Sequence, residues 1–104
     1  MPVFSTQDWL EKDLELYSKE QERISDQMSV LYDSIELSKP LPDDFSTTFE
    51  EISKTLANLY ARFQLFNKAN KALLEEGDYP ILVSITLGEF DRLYSLRKIL
   101  EHRL

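Results

Sequence analysis

There is no cysteine among the 104 residues, and only one histidine. The first absence excludes a disulfide framework, a thiolate metal site and a cysteine nucleophile. It fits a reducing compartment, so an intracellular location, cytoplasmic or nuclear, is expected. The second leaves no histidine pair for a metal and no choice of members for a Ser-His-Asp set. His102 itself reads as a solvated residue at a helix end. Glycine is nearly as scarce: Gly77 and Gly88 are the two present, and their spacing matches no phosphate-binding loop. The four prolines are Pro2, Pro40, Pro42 and Pro80, and the last three sit where helical patterns end.

Long apolar runs are also missing. No stretch approaches the roughly 18 residues that a membrane span requires, and the opening MPVFSTQDW lacks the basic and apolar regions of a secretory signal. The pair Asp43-Asp44 lacks the remaining ligands and the central glycine of a calcium loop. Glu11 with Glu15, Glu20 with Glu22, and Glu50 with Glu51 read as solvated helix faces rather than as opposed acid–base partners. No catalytic residue, metal ligand or cofactor is assigned on these grounds, and the chain is not expected to be an enzyme.

What is present in excess is acid. The net charge is −7, from nineteen acidic and twelve basic side chains. It is unevenly spread: residues 1–40 carry nine acidic and four basic groups, whereas 79–104 carry three and four. A negative surface repels phosphate backbones and anionic lipid, so no nucleic-acid partner is expected and a membrane partner is disfavoured. At 42% apolar the chain can bury a core, and its length suits one domain spanning 1–104.

The dominant pattern is a pair of stripes with alternating steps of four and three. The first is Leu10, Leu14, Tyr17, Gln21, Ile24, Met28, Leu31, Ile35; the second is Phe45, Phe49, Ile52, Leu56, Leu59, Phe63, Phe66, Asn70, Leu73. This spacing places side chains along one side of an α-helix, which then needs an apolar partner over its whole length. The first helix is expected over 6–38, with Ser5 or Thr6 as its cap. The link Lys39-Pro40-Leu41-Pro42 breaks it, and Asp43 or Asp44 caps a second helix over 44–76 that stops at Gly77. Five or so linking residues suit antiparallel neighbours. The expected fold is therefore all-α: a long antiparallel helical hairpin, coiled-coil-like, with a shorter C-terminal helix, forming a three-helix bundle or a dimeric bundle.

Several positions stand apart from the stripes. Trp9, Leu16, Val30 and Leu37 flank the first stripe at steps of seven or fourteen. The favoured reading packs Trp9 and Leu16 into the core beneath the C-terminal helix; the other makes Trp9 a docking anchor for a partner. If the turn centres near Leu41, Gln21 lies opposite Tyr60, where it either bonds the phenol hydroxyl or fixes register as a polar residue in an apolar seam. Asn70 is expected near the open end of the hairpin, merely tolerated there.

The run 81–87, Ile-Leu-Val-Ser-Ile-Thr-Leu, is uncharged and mostly β-branched. It has two readings. In one, Pro80 opens a helix that continues to the end of the chain. In the other, which is preferred, 81–85 is extended and Thr86-x-x-Glu89 is a capping box that opens a shorter helix over about 86–103. Phe90, Leu93, Leu96, Leu100 and Leu104 then form its apolar face. The run is expected to pack at the hairpin's open end near Trp9 and Leu74, either closing the bundle or offering a docking patch.

Function follows only at the level of class. The chain is expected to be a non-catalytic helical protein–protein interaction module, a subunit or adaptor of a multiprotein complex that acts as a homo- or hetero-oligomer with helical protein partners. Its candidate contact residues are Trp9, Leu16, Gln21, Val83, Ile85, Leu87 and Phe90. The alternative is a membrane-trafficking module whose elongated helical dimer lies on a bilayer, with the basic tail as its support.

Overall fold

The structure, a computed structural model, describes residues 6–36 and 43–103. The expected cap at Ser5, the flanking Leu37, the link at 39–42 and the last apolar position, Leu104, lie outside the described residues. Four helices follow in order: α1 Thr6–Glu36, α2 Phe45–Ala69, α3 Lys71–Leu74 and α4 Tyr79–His102, with no strand among the described residues.

The two stripes are the core. Leu10, Leu14, Gln21, Ile24, Met28 and Leu31 of α1 are buried, and so are Phe45, Phe49, Ile52, Leu56, Leu59 and Phe63 of α2. Phe90, Leu93 and Leu100 of α4 complete it. Cross-helix pairs give the helix directions. Gln21 meets Thr86 and Ser25 meets Arg92, so α1 and α4 run parallel. Phe49 meets Arg97 and Tyr60 meets Phe90, so α2 runs against α4 and hence against α1. The result is an elongated bundle measuring 56 × 26 × 20 Å.

Local chemistry explains where the helices stop. Asp44 precedes α2 but makes no side-chain cap bond; it contributes its carbonyl, which accepts the Thr48 N–H at 2.8 Å. The second helix is shorter than the expected 44–76: it ends at Ala69, and Asn70 separates it from the one-turn α3. The Asn70 side-chain amide donates to the Phe66 carbonyl at 2.9 Å, the same oxygen that its backbone N–H reaches at 3.0 Å. Asn70 is half-buried at the end of α2, where its amide has a partner, in keeping with a polar residue tolerated near the open end. Helical structure resumes for one turn as α3, with the Leu74 N–H donating to the Asn70 carbonyl at 2.9 Å. At 100° per residue Leu74 lies only about 20° around from Phe63, whereas Leu73 lies about 80° away, so Leu74 is buried and Leu73 is 39% exposed.

Gly77 then turns the chain with φ of +56°, a left-handed conformation that glycine adopts at no steric cost. Tyr79 opens α4, and Pro80 sits in its first turn, where its missing N–H is not needed. The run 81–87 is helical, which corrects the extended reading and the start near 86. The Thr86 hydroxyl donates to the Leu82 carbonyl one turn back at 2.9 Å, a bond internal to a helix. Glu89 turns to Arg92 instead of closing a capping box. Tertiary packing along α1 outweighs the modest cost of β-branched residues in a helix.

Gly88 lies inside α4, and a Cβ built on it meets nothing within 4 Å. Gly88→Ala should therefore raise stability by about 0.5–1 kcal/mol, by removing a helix-interior glycine without steric conflict. A higher denaturant midpoint with an unchanged slope is the expected result.

Candidate interaction surface

The parallel pair α1 and α4 leaves a groove along one side of the bundle. At its N-terminal end it is lined by Glu11, Leu14, Glu15 and Ser18 of α1 and by Leu82, Ile85 and Thr86 of α4. It continues past Ser18, Gln21, Glu22 and Ser25, facing Ile85, Thr86, Glu89 and Arg92. Each part is a cleft of about 270 Å³. Leu14, Gln21 and Thr86 are buried and form the floor, whereas Leu82 and Ile85 stand up from it, Ile85 with 64% of its surface exposed.

Gln21 links the two walls. Its Nε2 donates to the Thr86 carbonyl at 2.9 Å, a buried bond that ties mid-α1 to mid-α4. The expected bond to Tyr60 is not made, because α4 rather than α2 lies over Gln21; Tyr60 stacks edge-on with Phe90 and Tyr94 instead. At the far end Arg92 donates to Ser25 Oγ at 2.6 Å and to both carboxylate oxygens of Glu89. Hydrogen bonding to Glu89 holds the guanidinium more firmly protonated than usual, against a smaller opposing effect of burial. On the opposite flank of α1, burial raises the Tyr17 phenol above its ordinary range; Arg62 opposes this, while Asp13 and Glu20 reinforce it. Burial raises Tyr94 likewise, with Arg97 opposing and Tyr60 reinforcing.

The candidate residues do not form one patch. Gln21 and Phe90 are interior. Val83 is half-buried beside Leu74, Pro80 and Asn67, so the run does meet Leu74 as expected, but it lies lengthwise on the bundle. Ile85 and Leu87 are exposed.

Trp9 and Leu16 are exposed too, at 57% and 58%, which corrects the reading that placed them in the core. The reason is angular: at 100° per residue, Leu16 lies about 140° around α1 from Gln21. The fourth helix covers the Gln21 flank, whereas Leu16 borders a cleft with Leu59 and Arg62 of α2.

Compared with protein families, with curated proteins and with solved structures, the chain matches none. Its own chemistry therefore has to carry the functional argument.

That chemistry includes residues outside the candidate set: Ile81 and Leu82 are exposed on α4, and Glu11, Glu15, Glu22, Glu89 and Arg92 edge the groove. The available signal was the absence of any charged residue from 79 to 88. It becomes a surface feature only once the run is helical, because a helix turns part of every such run outward. Among the described residues, no group of three or more His, Asp or Glu is arranged to hold a metal ion, and no helix is long and apolar enough to cross a membrane.

Proposed function

We propose that the chain is a non-catalytic helical interaction module, a subunit or adaptor that works inside the cell as part of a homo- or hetero-oligomer. One observation carries this reading. The first half of α4 exposes Ile81, Leu82 and Ile85 on one side of a stretch without charge, on a chain of which 30% is charged. Isolated exposed apolar residues are ordinary, but several within two turns of one helix mark a surface that gains by being covered. At about 25 cal/mol per Å² of apolar surface, covering even a few hundred Å² contributes several kcal/mol to association. The bilayer alternative rests on the basic tail alone, and the carboxylates along the groove oppose an anionic surface.

Ile85→Glu tests the reading. Because Ile85 is largely exposed, the variant should keep its helical circular dichroism and unfold within about 0.5 kcal/mol of the parent, as surface substitutions do. Recovery of bound protein from the native source should fall at least tenfold. Equal recovery by the folded variant would remove this surface from the account. Val83→Glu is the contrasting change: it puts a carboxylate against Leu74 and should lower stability by more than 1 kcal/mol.

A further inference from the structure

We propose that the α1–α4 groove receives a basic amphipathic helix from a different polypeptide. This rests on the reading of the chain as an interaction module and adds the chemistry of the partner. Beside the buried stripe, α1 carries a second row at steps of four and three: Glu11, Glu15, Ser18, Glu22, Ser25. All five residues line the groove. A row with this spacing stays on one side of a helix over its whole length, in the flanking position from which charged residues of packed helices choose their partners. Here the row offers carboxylates at three places and small serines at Ser18 and Ser25.

The opposite wall supplies the apolar half of the site. Leu82 and Ile85 rise beside a floor of Leu14 and Thr86. From Glu11 to Ser25 the groove follows α1 for about 21 Å, the rise of 14 residues, so it fits about four turns of a guest helix. Four carboxylates edge it against one guanidinium, and that guanidinium is already held by Glu89. Glu11 and Glu22 are in no ion pair among the described residues. A guest with leucine-like side chains on one stripe and lysine or arginine beside it satisfies both walls at once.

Charge also selects against other occupants. A second copy would bring another chain of net charge −7 and the same carboxylate row into the groove. Nucleic acid and anionic lipid are repelled in the same way.

The test selects binders from a library of random 16-residue peptides displayed on phage, with the full chain immobilised. The expected peptides are net basic, carry Leu, Ile, Phe or Met at alternating steps of three and four, and bind more weakly as salt rises. Their binding should fall at least tenfold to the double variant Glu11→Lys with Glu22→Lys, and to Ile85→Glu. Val30→Glu, on an exposed α1 position that does not line the groove, should leave it unchanged. Should the charge-reversed chain lose helicity, the milder pair Glu11→Gln with Glu22→Gln replaces it, with a threefold loss expected. The proposal is overturned if the selected peptides are neutral or acidic, if none is enriched, or if the carboxylate variants bind them as the parent does. It is also overturned if the parent sediments as a dimer that Ile85→Glu dissociates, because the occupant is then a second copy. Failure of the peptide result, together with loss of native binding in Ile85→Glu, removes the basic guest while leaving the interaction module standing.

Discussion

Phe63→Ala is expected to cost about 3–5 kcal/mol of folding stability, the range for deleting a fully buried aromatic side chain. Phe63 has no exposed surface. Its ring centroid lies 5.1 Å from Tyr17 of α1, 6.3 Å from Phe66 of α2 and 5.4 Å from Phe90 of α4. One side chain thus joins the three long helices, and stiff rings on every side limit how far the site can collapse around the vacancy. A domain of this size holds roughly 5–15 kcal/mol in all, so much of its margin would go. Leu65→Ala supplies the control: two residues along the same helix but largely exposed, it should change stability by under about 0.5 kcal/mol. Equilibrium unfolding in urea, followed by circular dichroism, measures both. A loss below 1 kcal/mol for Phe63→Ala would mean that the three helices do not meet at this ring.

The second large effect separates the two conformations open to 81–87. Leu87→Pro is expected to cost about 3 kcal/mol or more, because proline inside a helix removes a backbone donor and its ring strikes the carbonyl four residues back. In α4 that carbonyl belongs to Val83, and Leu87 stands eight residues after Tyr79 opens the helix. Were the helix to open at Leu87, the same proline would stand at its first position, where proline is well tolerated. Leu87 is already 37% exposed, so the backbone effect is the larger part of the difference. A stability loss under 1 kcal/mol, with helical content unchanged, would restore the extended reading of 81–85. A loss of several kcal/mol together with reduced helicity supports a continuous α4.

These contrasts show which features periodicity could carry. Steps of four and three specify a buried stripe, and Leu10, Leu14, Ile24, Met28 and Leu31 fill it as read. The same count drifts by the end of α2 and α3, because a helix turns every 3.6 residues while alternating fours and threes average 3.5, and the buried position passes from Leu73 to Leu74. The capping-box pattern Thr86-x-x-Glu89 points to a helix start that the structure does not have: Thr86 bonds Leu82 and Glu89 bonds Arg92 inside α4. The β-branched run, whose intrinsic preference is worth only tenths of a kcal/mol per residue, is helical against α1. Trp9 and Leu16 failed for a different reason. Their flank and the Gln21 flank are both compatible with a third helix, and the choice between them belongs to tertiary packing. Of the candidate surface, the uncharged run was legible as a patch in need of cover. The carboxylate row facing it was visible only as a solvated face, because nothing in its spacing says which helix lies alongside.

The central claim is that the uncharged half of α4, seen across the groove from Glu11 and Glu22, is held for another polypeptide. A photo-crosslinking amino acid, p-benzoylphenylalanine, placed at position 85 in the full chain tests this most directly, with position 30 on α1 as an equally exposed control outside the groove. After irradiation in the native source, position 85 should give a discrete adduct heavier than the 12.2 kDa chain, which mass spectrometry resolves into a second polypeptide joined through a helical basic segment. Position 30 should give none. Adducts of equal yield from both positions, or none from position 85 in a chain that retains its helical spectrum, would contradict the account.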